Sequence, residues 1–106
     1  MSLTEQLPEI TRRIVRTSNP DKIILFGSYA HGNFSADSDL DLLVIVPNVK
    51  HRRRESIRVR RALRGLLVPV DIVIATPEQI KRLGNVAGLV YQSALKEGKV
   101  IYERPN

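Results

Sequence analysis

The order of apolar and polar residues along this chain alternates between a helical period and short apolar runs typical of strands. In the first segment, Ile10, Ile14 and Val15 form an apolar stripe at helical spacing. Pro, Gly, Asn and Ser punctuate the boundaries between segments. The pattern predicts, in chain order, a helix over residues 4–17, a strand over 22–26, a short helix over 28–32, a strand over 39–46, a helix over 51–67, a strand over 70–74, a helix beginning at Thr76, a helix over 86–97 and an edge strand over 99–102.

The segment 39–46 is apolar on both faces after Asp41, which predicts a central strand. Thr76, Pro77 and Gln79 are the residue types expected at the N-cap, the first and the third position of a helix. Helices covering one face of a small mixed sheet would accommodate all the elements. The predicted fold class is therefore α/β (α+β), with helices packed on a small mixed β-sheet.

The composition is that of a globular chain, with 106 residues of which 42% are hydrophobic and 26% charged. This length suits one domain with a modest core, so residues 1–106 are predicted to form a single domain. The sequence has no apolar stretch long enough to span a bilayer, no signal-peptide pattern at its N-terminus and no cysteine. We therefore expect a cytoplasmic protein without membrane contact.

Positive charge is concentrated in the predicted helix over residues 51–67. The net charge is +6, and the stretch 50–64 supplies eight of the seventeen lysines and arginines. At helical spacing, an apolar side is formed by Val59, Ala62, Leu63, Leu66 and Leu67, and the opposite side by Arg53, Arg54, Arg58, Arg60, Arg61 and Arg64, with Ile57 among them. This arginine side is a solvated surface, an RNA contact or a docking surface for an acidic partner. The stretch contains no phenylalanine, tyrosine or tryptophan on which bases could stack.

Two aspartates stand at the beginning of the second predicted strand. Asp39 and Asp41 are two residues apart, so both carboxylates can point to one face of that strand. Converging carboxylates repel each other and lose solvation, and a divalent cation relieves both effects. Oxygen ligands favour Mg²⁺ or Mn²⁺. The alternative is an Asx-type turn that caps the strand with solvated carboxylates.

Gly27 and Ser28 join the first strand to the short helix, where free N–H groups favour phosphate. The alternative is an ordinary turn with Ser28 as the helix N-cap. A third acid, Asp71, lies inside the third strand, where a carboxylate is costly without a partner. A buried salt bridge to an arginine would also satisfy Asp71. A metal site beside a phosphate site indicates phosphoryl or nucleotidyl transfer.

Other nucleotide and metal motifs do not fit the chain. Gly27 and Gly32 have the spacing of P-loop glycines, but Asn33 and Phe34 follow in place of lysine and serine or threonine. The stretch 37–48 lacks the glycine and the final glutamate of an EF-hand loop. The two histidines are not at zinc-binding spacing.

Three segments together, Gly27–Gly32, Ser38–Leu42 and Asp71, resemble the nucleotidyltransferase superfamily of DNA polymerase β. The chain is most similar to the smallest members of that superfamily, the minimal nucleotidyltransferases, and the resemblance covers nearly its whole length. It implies a three-layer α/β fold like the palm of polymerase β. At His31 many relatives carry arginine, which leaves open how the charge of the triphosphate is balanced.

The resemblance also implies the roles of five residues. Asp39, Asp41 and Asp71 would hold two Mg²⁺ ions, with Mn²⁺ as an alternative metal. Gly27 and Ser28 would bind the β- and γ-phosphates of ATP, and Asp39 and Asp41 would complete the nucleotide site. One metal would neutralise the triphosphate, and the other would activate an acceptor hydroxyl for attack on the α-phosphorus.

The resemblance further implies a partner. Minimal nucleotidyltransferases are often paired with a small helical protein of the HEPN type, act as its antitoxin, and in some cases transfer AMP to a tyrosine of that partner. We therefore expect Mg²⁺-dependent transfer of AMP from ATP to a protein hydroxyl, in a toxin-antitoxin module. The alternatives are transfer to an aminoglycoside-type small molecule and a nucleotide-binding or partner-binding module without turnover. Association of the chain with itself also stays open.

Overall fold

The computed structural model describes residues 3–32, 39–66, 69–86 and 90–105. In chain order these contain α1 (Leu3–Ser18), β1 (Lys22–Phe26), α2 (Ser28–His31), β2 (Leu40–Ile45), α3 (Arg52–Ala62), β3 (Val70–Ala75), α4 (Pro77–Leu83), α5 (Val90–Glu97) and β4 (Lys99–Glu103). All nine predicted elements are present in the predicted order. Within these ranges, no helix is both long enough and apolar enough to cross a membrane.

Two helices are shorter than the sequence pattern predicts. The basic helix α3 ends at Ala62, because the chain turns through Leu63 and reaches Gly65 at φ +91°, a left-handed conformation that favours glycine. The predicted residue Leu67 lies outside the described part of the chain. Helix α5 begins at Val90, and Val86 lies outside it. By contrast, α4 begins as predicted, since Thr76 and Gln79 form a capping box and Pro77 is the first helical residue.

The four strands form one mixed sheet in the order β3-β2-β1-β4. Strand β2 is antiparallel to β1 and parallel to β3, so it lies inside the sheet as predicted, and β4 is an edge strand. A parallel pair needs a crossover connection, and α3 provides it between β2 and β3. Helix α3 therefore carries the chain back from the end of β2 to the edge of the sheet where both strands begin.

Helices cover both faces of this sheet, so the prediction that they cover one face is wrong. On one face, Ile10, Ile14 and Val59 of α1 and α3 pack against Leu42 and other buried strand residues. On the other, the α5 residues Tyr91 and Ala94 pack against Ile24, Phe26, Leu43, Ile45 and Ala75. Consecutive residues of β2 point to opposite faces and all of them from Leu42 to Val46 are buried, which requires a cover on each side. The result is the three-layer arrangement that the family resemblance implies.

A polar contact ties the end of α3 to α1. The guanidinium of Arg13 donates to the backbone carbonyls of Ala62 at 3.3 Å and Arg64 at 3.0 Å. These carbonyls lie at the C-terminal end of α3, where they have no partner within the helix. Glu9 accepts a hydrogen bond of 2.7 Å from Nε of the same arginine and holds it in place.

The division of α3 into two sides is confirmed. Val59 and Leu63 are buried in the core that α1 and α3 share with the sheet, and Leu66 packs against that core. The six arginines predicted on the opposite side are all exposed.

Candidate active site

Gly27 forms the turn between β1 and α2. Its φ of +75° lies in the left-handed region, and its carbonyl accepts a hydrogen bond of 3.1 Å from the backbone N–H of Ala30. Gly27, not Ser28, is therefore the N-cap residue of α2, and Ser28 is the first residue of the helix. The alternative that made Ser28 an ordinary N-cap is wrong, because its backbone is already helical. Its hydroxyl is consequently not used to cap α2.

Gly27 lies directly against Asp41. A Cβ atom placed on Gly27 would be 2.2 Å from the carboxylate oxygen Oδ2 of Asp41, far inside van der Waals contact. The sheet causes this proximity, because Phe26 is the register partner of Asp41 in the antiparallel pair of β1 and β2. Two independent constraints, the left-handed φ and the contact with the carboxylate, therefore require glycine here.

The three acidic residues predicted to share a site lie at one edge of the sheet. Asp41 and Asp71 are direct register partners in the parallel pair of β2 and β3, so their side chains leave the sheet on the same face. Asp39 precedes β2 by one residue and is exposed. Burial raises the pKa of the half-buried Asp41, and the negative charges of Asp71 and Asp39 raise that pKa further. The carboxylates of Asp39 and Asp71 are thus near enough to Asp41 to repel its negative charge.

Asp71 differs from its predicted environment. It is the second residue of the edge strand β3, and its side chain is 57% exposed. The guanidinium of Arg60 lies 3.4 Å from its Oδ1 oxygen. The predicted alternative of a buried salt bridge is therefore wrong in its burial, because the start of an edge strand remains open to solvent. An arginine does contact Asp71, but at the surface.

Arg60 lies beside the acidic residues, a position that its place on the basic side of the predicted helix did not indicate. The order of elements could have indicated that Arg60 lies near Asp71, because a crossover helix between parallel strands returns to the edge where the second strand begins. Arg60 lies near the end of α3 and Asp71 near the start of β3. Predicting a parallel pairing of β2 and β3 would have brought the two residues together.

The donor chemistry at this edge fits a divalent cation. Asp39, Asp41 and Asp71 offer carboxylate oxygens, the ligands that Mg²⁺ and Mn²⁺ prefer, and a cation would offset the repulsion that raises the pKa of Asp41. In the described ranges, no three acidic, histidine or cysteine side chains converge closely enough to surround one ion. Asp39 and Asp71 are exposed, so rotation of their side chains toward Asp41 costs little packing.

Two predicted features of the site fall outside the described part of the structure. They are the side chain of His31 and the residue Ser38 at the start of the Asp-x-Asp segment. The backbone of His31 is described and forms the last residue of α2.

Comparisons with known proteins show which family the chain resembles. The family model of the nucleotidyltransferase domain matches residues 5–101. A protein of Methanocaldococcus jannaschii assigned as a protein adenylyltransferase is 32% identical over 81 residues, which cover 76% of this chain and 77% of that protein. The protein adenylyltransferase MntA of Aphanizomenon flos-aquae is 28% identical over 85 residues, which cover 78% of this chain and only 57% of MntA.

Solved structures share the fold. A protein from Sulfolobus solfataricus, assigned as a nucleotidyltransferase, superposes with a TM-score of 0.66 at 20% identity, covering 94% of this chain and 79% of that one. A toxin-antitoxin structure with AMP-PNP superposes with a TM-score of 0.58 at 23% identity, covering 91% of this chain and 73% of the other. The family match spans nearly the whole chain and includes every element that carries a candidate site residue. The chain therefore belongs to the nucleotidyltransferase domain family.

Proposed function

We propose that this protein is a Mg²⁺-dependent nucleotidyltransferase that transfers AMP from ATP to a hydroxyl group of a partner protein. The observation that carries the proposal is the placement of Asp39, Asp41 and Asp71 at one sheet edge, with the Gly27 turn against Asp41. A phosphate-binding turn and a set of metal-binding carboxylates are the two parts that nucleotidyl transfer requires. The names of the adenylyltransferase relatives support AMP as the transferred group.

Each residue of the site has a role in this proposal. The left-handed turn at Gly27 leaves room for the triphosphate to approach the backbone, and Ser28 donates from its hydroxyl and its N–H to phosphate oxygens. Asp39, Asp41 and Asp71 would hold the metal, which when bound neutralises the triphosphate and favours ionisation of the acceptor hydroxyl. The acceptor oxygen then forms a bond to the α-phosphorus, the bond to the bridging oxygen breaks, and pyrophosphate leaves.

A partner protein is proposed as the acceptor, in a toxin-antitoxin pair with a small helical HEPN-type protein. The solved toxin-antitoxin structure, which shares the fold, supports this assignment, as do the relatives named protein adenylyltransferases. Because the matched residues cover 57% of MntA, the activity of that whole protein is extended to this chain only as part of the proposal.

Labelled ATP tests the proposed reaction. The protein is incubated with Mg²⁺, with the product of the neighbouring gene, and with ATP labelled at either the α- or the γ-phosphate. Transfer of AMP places the α-label on the partner and leaves the γ-label in pyrophosphate. Label from the γ-position on protein would instead indicate a kinase and would contradict the proposal.

Two further arms separate the alternatives. Label on an aminoglycoside rather than on protein would indicate a small-molecule transferase. Nucleotide binding with no transfer to either acceptor would indicate a binding module. Asp41→Asn serves as the control in every arm, because it removes the carboxylate that contacts Gly27 while its side chain keeps the same shape.

A further inference from the structure

The exposed side of α3 has a single apolar residue surrounded by arginines. The side chain of Ile57 is 43% exposed. Arg53 lies four residues before it, Arg54 three residues before it, and Arg61 four residues after it. Residues at these spacings are neighbours on a helix surface. We refer to Ile57, Arg53, Arg54 and Arg61 as the α3 outer face.

The arginines of the α3 outer face are not used by the fold. Within the described ranges, the side chains of Arg53, Arg54 and Arg61 make no hydrogen bond or ion pair, whereas those of other arginines of α3 do. Arg58 donates to the carbonyl of Thr17, and Arg52 donates to the hydroxyl of Tyr91 at 3.2 Å. The helix thus has one set of arginines that hold it to the domain and another set that faces solvent.

This surface carries an uncompensated positive charge. The stretch 50–64 contains eight basic residues and one acid, Glu55. Glu55 accepts a hydrogen bond of 2.5 Å from Ser18 and lies 3.4 Å from Arg58, so its charge is directed toward α1. An open groove of about 750 Å³ continues the charged surface and is lined by Lys50, His51, Arg52, Arg53, Arg54 and Ile57. Such a field attracts an acidic ligand.

The exposed apolar residue favours a protein over a nucleic acid. An apolar centre surrounded by polar groups is the usual anatomy of a protein interface, in which arginine is enriched and lysine depleted. Seven of the eight basic residues in this stretch are arginine. A phosphate backbone would use the arginines but would leave Ile57 without a partner, and the stretch has no phenylalanine, tyrosine or tryptophan for stacking on bases.

The course of α3 connects this surface to the candidate active site. Helix α3 runs from the end of β2 back to the edge where β2 and β3 begin, and Arg60 near its C-terminal end reaches Asp71. A protein lying along α3 would therefore extend toward the carboxylate edge. Such a partner could present an acceptor hydroxyl at the carboxylate edge while it stays bound to the α3 outer face.

We propose that the α3 outer face docks an acidic protein partner that places an apolar side chain on Ile57 and carboxylates on Arg53, Arg54 and Arg61. This inference rests on the proposed function only in taking the acceptor to be a protein. It names the chemistry of the docking partner and the residues that bind it. Docking itself requires neither ATP nor metal.

Fluorescence anisotropy with three probes tests the proposal on the full chain. The probes are a helical peptide with one leucine flanked by glutamates, the same peptide with alanine for leucine, and single-stranded RNA of equal charge. We expect the leucine peptide to bind most tightly, and its affinity to fall as salt rises. Ile57→Ser should weaken that binding about tenfold, the scale of an apolar interface anchor.

Matched variants separate a specific surface from net charge. Arg53→Gln, Arg54→Gln and Arg61→Gln combined should weaken peptide binding at least about tenfold. Lys81→Gln, Arg82→Gln and Lys96→Gln remove the same charge from α4 and α5 and should have a much smaller effect. Val100→Ser, at an exposed apolar residue of β4, is the control for Ile57→Ser. Melting temperatures verify that every variant folds.

Three outcomes would overturn the inference. They are RNA binding as tight as that of the leucine peptide, equal losses in the two triple variants, and binding of no probe at low salt. Because this assay contains no nucleotide, its failure is distinct from the absence of AMP transfer. Label transfer without peptide docking would contradict the proposed docking surface but not the proposed transfer reaction.

Discussion

Arg60 and Asp71 form an ion pair on the protein surface, with Nη2 of the arginine 3.4 Å from Oδ1 of the aspartate. The pair lies at the edge of the sheet that carries the acidic residues of the candidate site. Both side chains are more than half exposed. A cation of the protein thus lies beside a carboxylate that is proposed to bind a metal. This ion pair links the basic helix α3 to the candidate active site, two features that the sequence alone does not connect.

Removal of the Arg60 charge should strengthen divalent metal binding, because the guanidinium competes for the Asp71 carboxylate. An exposed ion pair contributes roughly 0.2–1 kcal/mol, so Arg60→Gln should lower the Kd for Mn²⁺ by a factor of about 1.4 to 5. Calorimetric titration without nucleotide measures this affinity. Arg61→Gln is the matched control, since it removes the neighbouring charge but no contact with Asp71. Equal affinities in Arg60→Gln and Arg61→Gln would contradict the competition.

Asp41→Asn should abolish AMP transfer while leaving the fold intact. The wild-type carboxylate is half-buried and repelled by Asp39 and Asp71, so its neutral replacement should match or slightly raise the melting temperature in the presence of a chelator. Loss of a metal ligand should lower the transfer rate more than about a hundredfold. The transfer assay and thermal unfolding measure the two effects. Near-normal transfer would remove Asp41 from the metal site.

Gly27→Ala should damage both stability and nucleotide binding. An alanine at left-handed φ costs about 1–2 kcal/mol, and its Cβ would displace the Asp41 carboxylate. Gly32→Ala is a matched control, since Gly32 has a similar φ of +78° but no described residue within 4 Å of the added Cβ. Both variants should lose stability in urea, but only Gly27→Ala should also lose Mn²⁺-dependent ATP binding. Equal binding by the two variants would show that the contact with Asp41 has no functional effect.

Arg13→Met should destabilise the protein by about 1–3 kcal/mol, because carbonyls of Ala62 and Arg64 lose their charged donor. Arg12→Met removes a neighbouring arginine that contacts Glu9 at the surface, and should cost no more than about 1 kcal/mol. Urea denaturation compares them. Similar losses in the two variants would mean that the link from α1 to the end of α3 contributes little.

Acid should weaken the protein in part through Glu9. The hydrogen bond from Arg12, and after it in size the hydrogen bond from Arg13, lower the pKa of Glu9 from 4.5 to about 2. A carboxyl whose pKa is lower in the folded state stabilises fully above its unfolded pKa, and this contribution is lost as the pH falls from about 4.5 toward 2. Glu9→Gln should therefore be less stable than wild type at pH 6, with a difference that shrinks on acidification. Urea denaturation at several pH values measures it, and a constant difference would contradict this assignment.

Local sequence patterns were sufficient to predict the order and the approximate bounds of the helices and strands. The capping box at Thr76 and Gln79 forms from residues three apart, so it is a local property. By contrast, β2 begins at Leu40, so the strand repeat predicted over 39–46 does not by itself set the position of Asp39 beside Asp41. The end of α3 was harder to predict, because apolar spacing continues through Leu66 after the helix has ended.

The sequence by itself determined which functional groups the proposed site has, because Gly27, Asp39, Asp41 and Asp71 carry the same groups in any fold. Tertiary structure alone decided how they meet. The register of β2 with β1 presses Gly27 against Asp41, and the parallel pairing with β3 aligns Asp41 with Asp71. Strand order also left Asp71 exposed and brought Arg60 to it. These contacts join residues distant in the chain, and their geometry follows from how the helices and strands pack, which local propensity does not specify.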